Sequence, residues 1–170
     1  MKVFRVAAIA LIGFAAATAS AQALYSPPEG DFQVAFVGAP HVASRAANRS
    51  KDVARRRYVD QQPGRALIVS IEDYPEGSLP QGADSGIYDR FLRGMADDDM
   101  GQLVSTRAAR LAGRPCLEGQ IKDAAGDTEI VRVLKIGDRI YQLTYALPDG
   151  AEAQGADAAF FGSFQISKAP

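Results

Sequence analysis

Residues 129–146 read EIVRVLKIGDRIYQLTYA, and no other stretch constrains the fold as strongly. Ile130, Arg132, Leu134 and Ile136 fall on one side of an extended chain, and Val131, Val133 and Lys135 on the other. A period of two is the signature of a strand with distinct faces. Gly137-Asp138 then separates this run from a second, Arg139 to Ala146, as a tight hairpin turn would, and Pro148-Asp-Gly150 ends it. The chain is therefore committed to an antiparallel pair near its end.

The rest follows the same two periods. Phe32, Val34 and Phe36 alternate in a strand stopped by Gly38-Ala-Pro40. Val53 to Asp60 and Ala66 to Tyr74 flank Gln61-Gln-Pro-Gly64, a second hairpin with a Pro-Gly turn. The run ALIVSIEDY is apolar enough at its start to sit centrally in a sheet. From Ser85 the period changes: Ile87, Tyr88, Phe91, Leu92 and Met95 form one helical stripe, with Asp89, Arg90 and Arg93 turned outward and Asp84 or Ser85 as cap. Leu103 to Ala112 and Cys116 to Asp123 read as strands, and an Ala-rich helix over about 152–162 carries Phe160 and Phe161, with Phe164 and Ile166 docking after it. Strands, a helix, more strands and a closing helix make one α+β domain over residues 31–170, an antiparallel sheet flanked by helices. Residues 24–30, LYSPPEG, read as an extended arm, and 41–51 as a mobile polar crossing loop.

The first 23 residues read as an address. Lys2 and Arg5 precede an apolar run from Val6 to Ala17, which is shorter than the roughly 20 residues needed to span a bilayer core. Small residues follow at Ala19-Ser20-Ala21 and Ala21-Gln22-Ala23, so a secretory signal cleaved after Ala21 or after Ala23 is expected. No cysteine follows to carry a lipid anchor, and no later segment reads as a membrane helix. The expected product is a periplasmic or secreted monomer of 147 to 149 residues, the richness in Ala, Arg and Gly suggesting a bacterial source. Its net charge of about −3 lacks the positive field that nucleic-acid binding needs.

Three segments, in this order, resemble parts of one family. PPEGDFQVAFVGAP resembles a glycine-then-aromatic opening strand that ends in a Pro-containing turn; GDRIYQLTYA resembles a late strand that follows a Gly-containing turn; AAFFGSFQI resembles a closing helix whose Phe-rich end packs on the sheet. Together they resemble small exported bacterial proteins with the PsbP-like fold, an α/β sandwich. In such relatives the segment between the middle strands often reads Gly-x-Pro-Gly, whereas Ala112-Gly113-Arg114-Pro115-Cys116 puts a cysteine at the second glycine. The resemblance implies a binding or assembly role, and a fold alone does not fix a function.

Candidate sites are few. Cys116 is the only cysteine. An unpaired thiol in an exported chain is either a reactive or bridging group or a small buried hydrophobe, and Leu117 and Ile121 beside it favour burial. His41 is the only histidine, so no zinc set is expected, and no G-x-S-x-G accompanies it. Arg55, Arg56 and Arg57, with Arg45, Arg49, Lys51 and Arg65 nearby, make a basic stretch able to meet an anionic partner or to protect an edge strand; Arg55 and Arg57 should face one way and Arg56 the other. Asp97-Asp98-Asp99 sits where a helix dipole disfavours carboxylates, so the helix should stop by about Ala96 or the acids should hold a cation. An EF-hand does not fit, and a solvated loop is the simpler reading. No cofactor is expected. The leading expectation is a non-enzymatic exported binding or accessory domain with an unknown protein or envelope partner, meeting it through the sheet's exposed face or rim loops. The alternatives are a thiol-dependent or hydrolytic enzyme using Cys116 or His41, and a small-ligand carrier with an apolar pocket between helix and sheet.

Overall fold

The computed structural model describes residues 23–47, 52–81 and 85–167; the expected leader, through residue 22, lies outside them. The elements are β1 (Ala23–Tyr25), β2 (Phe32–Phe36), β3 (His41–Arg45), β4 (Ala54–Gln62), β5 (Arg65–Asp73), α1 (Ser85–Asp98), β6 (Gln102–Leu111), β7 (Arg114–Lys122), β8 (Thr128–Ile136), β9 (Arg139–Leu147), α2 (Ala156–Ser163) and β10 (Gln165–Ile166). Seven strands form one antiparallel sheet in the order β3-β4-β5-β9-β8-β7-β6. Two meanders, one on each side of α1 in sequence, are thus joined where β5 pairs with β9. A smaller sheet, β1-β2-β10, completes the domain. This is the expected α+β architecture, and both hairpins stand where the alternation placed them.

The two faces of the large sheet carry separate cores. On one, Tyr58, Leu67, Val69, Ile71, Tyr141, Leu143 and Tyr145 meet Phe32, Val34 and Phe36 of the small sheet and Phe160, Phe161 and Phe164 from α2 and its exit. On the other, Ile121, Val131, Val133 and Ile140 meet Ile87, Tyr88, Leu92 and Ala96 of α1. Gly119 lets α1 approach β7: a Cβ there would lie 2.8 Å from both terminal methyls of Leu92. Gly101, where α1 turns into β6, packs against the Lys122 backbone with no room for a side chain. Among the described residues no helix is long and apolar enough to cross a membrane.

Four findings differ from the sequence reading. Residues 41–45 are not loop but an edge strand paired with β4 from His41↔Val59 to Arg45↔Arg55. β4 is therefore internal, and its arginines protect no edge. Residues 23–25 form a strand along β2, and the Tyr25 ring packs on Phe32, Phe36 and Tyr58 at 5.7–6.5 Å, so the arm begins as part of the fold. Finally, α1 runs through Asp97 and Asp98.

That last extension has a backbone cause. The Gly101 N–H donates to the Ala96 carbonyl at 2.8 Å and the Met100 N–H to the Asp97 carbonyl at 3.1 Å, the two bonds of a Schellman ending. Met100 occupies the left-handed position at φ 51°, where glycine is the unstrained residue. Met100→Gly should therefore stabilise the domain by about 1 kcal/mol, read as a higher urea midpoint at unchanged slope. An unchanged or lower midpoint would count against the cap.

Candidate functional site

α1 covers only half of its sheet face. It packs chiefly on β6, β7 and β8, with Ile140 of β9 in the same core, whereas the side chains of β3 and β4 that point the same way are exposed or only partly buried. Pairing registers lay these side chains out in rows across the sheet. One row runs Ala43, Arg57, Ser70, Gln142 and Val133. The row on one side runs Arg45, Arg55, Glu72 and Ile140, and that on the other His41, Val59, Ile68, Thr144 and Val131. The strand alternation that buries Tyr141, Leu143 and Tyr145 on the far face necessarily places Gln142 and Thr144 here.

Where the open half meets α1, the surface sinks into a cleft of about 230 Å³ bounded by Arg55, Arg57, Ser70, Met95, Asp98, Asp99, Glu129, Gln142 and Thr144. A second hollow of about 300 Å³ adjoins it, running between Tyr74, Phe91 and Arg55. The cleft's floor is polar. Gln142 is 8% exposed and Thr144 4%, and neither side chain makes a hydrogen bond to another described residue. Glu72 is committed locally: it holds Arg55 at 2.9 Å and accepts from the Tyr74 hydroxyl at 2.7 Å. Burial, assisted by that bond, raises the Tyr74 pKa, so Tyr74 stays a donor. Burial likewise pushes Asp99 and Glu129 above the usual carboxylate range, and each raised group has other acids nearby, Asp98 and Asp123 for Asp99, and Asp99, Asp123 and Asp127 for Glu129. Arg57 offsets part of both shifts from a distance, since it makes no ion pair within 4.0 Å to a described residue.

The sequence-level candidates separate. Arg45, Arg55 and Arg57 share the open half-face, with Arg45 directly opposite Arg55. Arg56 points through to the other core, as alternation requires, and is held there: its guanidinium meets Asp31 at 2.6 Å and Asp73 at 3.3 Å. Arg49 lies outside the described residues. His41 is exposed at the start of β3. Asp97 and Asp98 are the last residues of α1, and Asp98 and Asp99 stand in the cleft wall; among the described residues no group of three or more His, Cys, Asp or Glu is arranged to hold a metal.

Cys116 belongs to the opposite face. It is 6% exposed in the α2-side core, and burial pushes its thiol up to about 11, Glu118 adding to the rise and Arg132 offsetting part of it. Arg132 is itself engaged: it donates to Glu118 at 2.8 Å and lies 4.4 Å over the Phe161 ring. The thiolate is the reactive species, and a rise of this size lowers its population at neutral pH about 100-fold. Alkylation of the native protein at neutral pH should accordingly be on the order of 100-fold slower than that of an unstructured cysteine peptide, and denaturant should restore the ordinary rate. Native alkylation at the peptide's rate would refute the burial account.

The residues that sequence reasoning did not single out are Ser70, Gln142 and Thr144. Their signal was present in RIYQLTYA, where polar residues alternate with aromatic ones, but alternation does not tell a solvated polar face from a buried one.

Solved structures share this fold. The cyanobacterial PsbP protein of Synechocystis (CyanoP) superposes with a TM-score of 0.59 at 11% identity, covering 95% of this chain and 98% of that one. The Saccharomyces cerevisiae Ran-binding protein Mog1p superposes with a TM-score of 0.54 at 9% identity, covering 86% of this chain and 96% of that one. The chain thus has the PsbP-like fold, and at such identities the likeness speaks to fold alone. No protein-family model and no curated protein matches the sequence.

Proposed function

We propose that this protein is an exported, non-catalytic accessory domain that binds a protein partner through the open half of its α1-side sheet face, centred on the outer strands β3 and β4. The observation that carries the reading is the exposure of His41, Ala43, Arg45, Arg55 and Arg57 on the outer part of that half-face. A seven-stranded sheet with one helix leaves Arg45, Arg55, Arg57, His41 and Ala43 on a continuous surface. Such a surface offers a partner guanidinium groups that suit carboxylates, beside a short exposed edge. Mog1p is a Ran-binding protein, which supports a binding role for the fold without extending its partner to this chain.

Export rests on the leader pattern. Cleavage after Ala21 would keep all of β1, whereas cleavage after Ala23 would remove its first residue, so Gln22 is the mature N-terminus on this reading. An intact mass of the protein from the exported fraction tests both points: a chain that retains Met1 would defeat export, and one that starts at Leu24 would defeat the preference for Ala21. The thiol-enzyme alternative is disfavoured by a Cys116 that is buried and raised in pKa.

The surface is tested by placing negative charge on its outer part, Arg45→Glu with His41→Glu, in protein isolated with its partners from the exported fraction. Loss of a co-purifying partner at unchanged melting temperature supports the reading. Retention of every partner overturns it.

A further inference from the structure

The cleft beside α1 has the features of a small-molecule site, which meets the outer surface just described at Arg55 and Arg57 and includes neither His41 nor Arg45. Its floor is built from Gln142 and Thr144, each more than nine-tenths buried, with no hydrogen bond to a described residue, and both bordering the same cleft. Among the described residues the one side-chain polar atom that is both sealed from solvent and without a hydrogen bond is Asp31 Oδ2, so the unpartnered polar atoms of Gln142 and Thr144 open onto the cleft, where water or a ligand meets them. Arg57, Ser70 and Gln142 stand side by side on three neighbouring strands, so a row of donors crosses the floor toward α1. At about 4.8 Å between strands the row extends roughly 10 Å.

Charge is arranged in two unjoined halves. Arg57 enters from β4 with no ion pair within 4.0 Å to a described residue. Asp99, from the end of α1, and Glu129, from the start of β8, enter from the other elements, with Asp98 beside them. Their carboxylates influence one another and Arg57 through space without touching it. A simple anion would satisfy Arg57 and be repelled by the acids. A simple cation would do the reverse. A molecule with both charges completes both.

We infer that the cleft between α1 and the β4-β5-β9 floor binds a small zwitterion of the amino-acid class, its carboxylate on Arg57 and Ser70, its ammonium toward Asp99 and Glu129, and its polar atoms on Gln142 and Thr144. The volume agrees: about 230 Å³ is the space of roughly eight waters at ~30 Å³ each, suited to a single amino acid. The pocket is polar, not the apolar one that a carrier of hydrophobic ligands requires.

The test is a titration of the purified, isotope-labelled protein, following backbone amide shifts by NMR, with glycine, L-alanine and L-glutamine as probes and acetate and ethylammonium as the separated halves. The expected result is saturable shifts at Ser70, Gln142 and Thr144 with at least one amino acid, at least tenfold tighter than with either half. Gln142→Leu with Thr144→Val keeps the shape of the floor and removes its polar atoms. It should weaken that binding tenfold or more while the melting temperature holds or rises. Absence of saturation with every amino acid at millimolar concentration would overturn the inference. So would acetate binding as tightly as L-alanine, or an unchanged affinity in the double variant. Neither His41 nor Arg45 enters this site, so loss of partner binding in the outer-surface variant leaves the inference standing.

Discussion

Arg139→Met is expected to lower the stability of the domain by about 3 kcal/mol, a drop of roughly 10 °C in melting temperature for a domain of this size. Arg139 donates to Asp73 and sits 3.5 Å from Asp31, with its side chain 14% exposed. Arg56 serves the same two acids from β4, at 2.6 Å and 3.3 Å. The four groups tie the entry to β2, at Asp31, to the middle of the large sheet. Removing one cation leaves the buried Asp31 and the partly buried Asp73 on a single guanidinium, and the uncompensated charge, not the lost bond, dominates the cost. Arg139→Met with Asp73→Leu should therefore lose less than Arg139→Met alone, because the Arg56–Asp31 pair then remains balanced. Urea unfolding of the two variants decides this: a double variant as unstable as the sum of its parts would refute the network.

Phe164→Ala is expected to cost about 4 kcal/mol. Phe164 is 2% exposed, stacked on Phe32 at 5.6 Å and edge-on to Tyr141 at 5.8 Å. It follows α2 directly and precedes β10, whose Gln165 and Ile166 pair with Gln33 and Phe32. Truncation leaves a cavity that the surrounding rings cannot fill without leaving their rotamers. It also loosens the anchor that holds the small sheet over the large one. The same truncation at Ile166, which is only partly buried, should cost far less. Equal losses at both positions would mean that the closing segment is held by its backbone pairing and not by the aromatic cluster.

Much of this architecture was legible in the sequence because burial on one face leaves a period. The β8–β9 hairpin, the Phe32–Phe36 strand and the α1 stripe all read correctly for that reason. β3 left no such mark. All five of its side chains are exposed, so HVASR carries no alternation, and its pairing is a matter of backbone alone. The end of α1 was misplaced because the acids in its last turn argue against helix, whereas the decision is made by the Schellman bonds and by the fit of Gly101 on Lys122. In the basic stretch, alternation correctly separates Arg56 from its neighbours. It cannot name Asp31, Asp73 and Arg139 as the groups that share its side of the sheet, because that meeting is spatial. The cleft floor was hidden for a related reason: Gln142 and Thr144 look like the solvent side of a strand, and they become a floor only when α1 settles over the neighbouring half.

The central claim is that the outer part of the open half-face is where the protein meets its partner. Ala43 and Ala108 are both exposed and lie at opposite margins of the α1-side face, Ala43 on β3 opposite Arg57 and Ala108 on β6 opposite Leu117. A photo-crosslinking residue placed at each, in cells that export the protein, reads the two margins under the same conditions. A discrete crosslinked partner from position 43 and none from position 108 is the predicted result. Crosslinking from position 108 alone would put the working surface on the β6 edge and contradict the account.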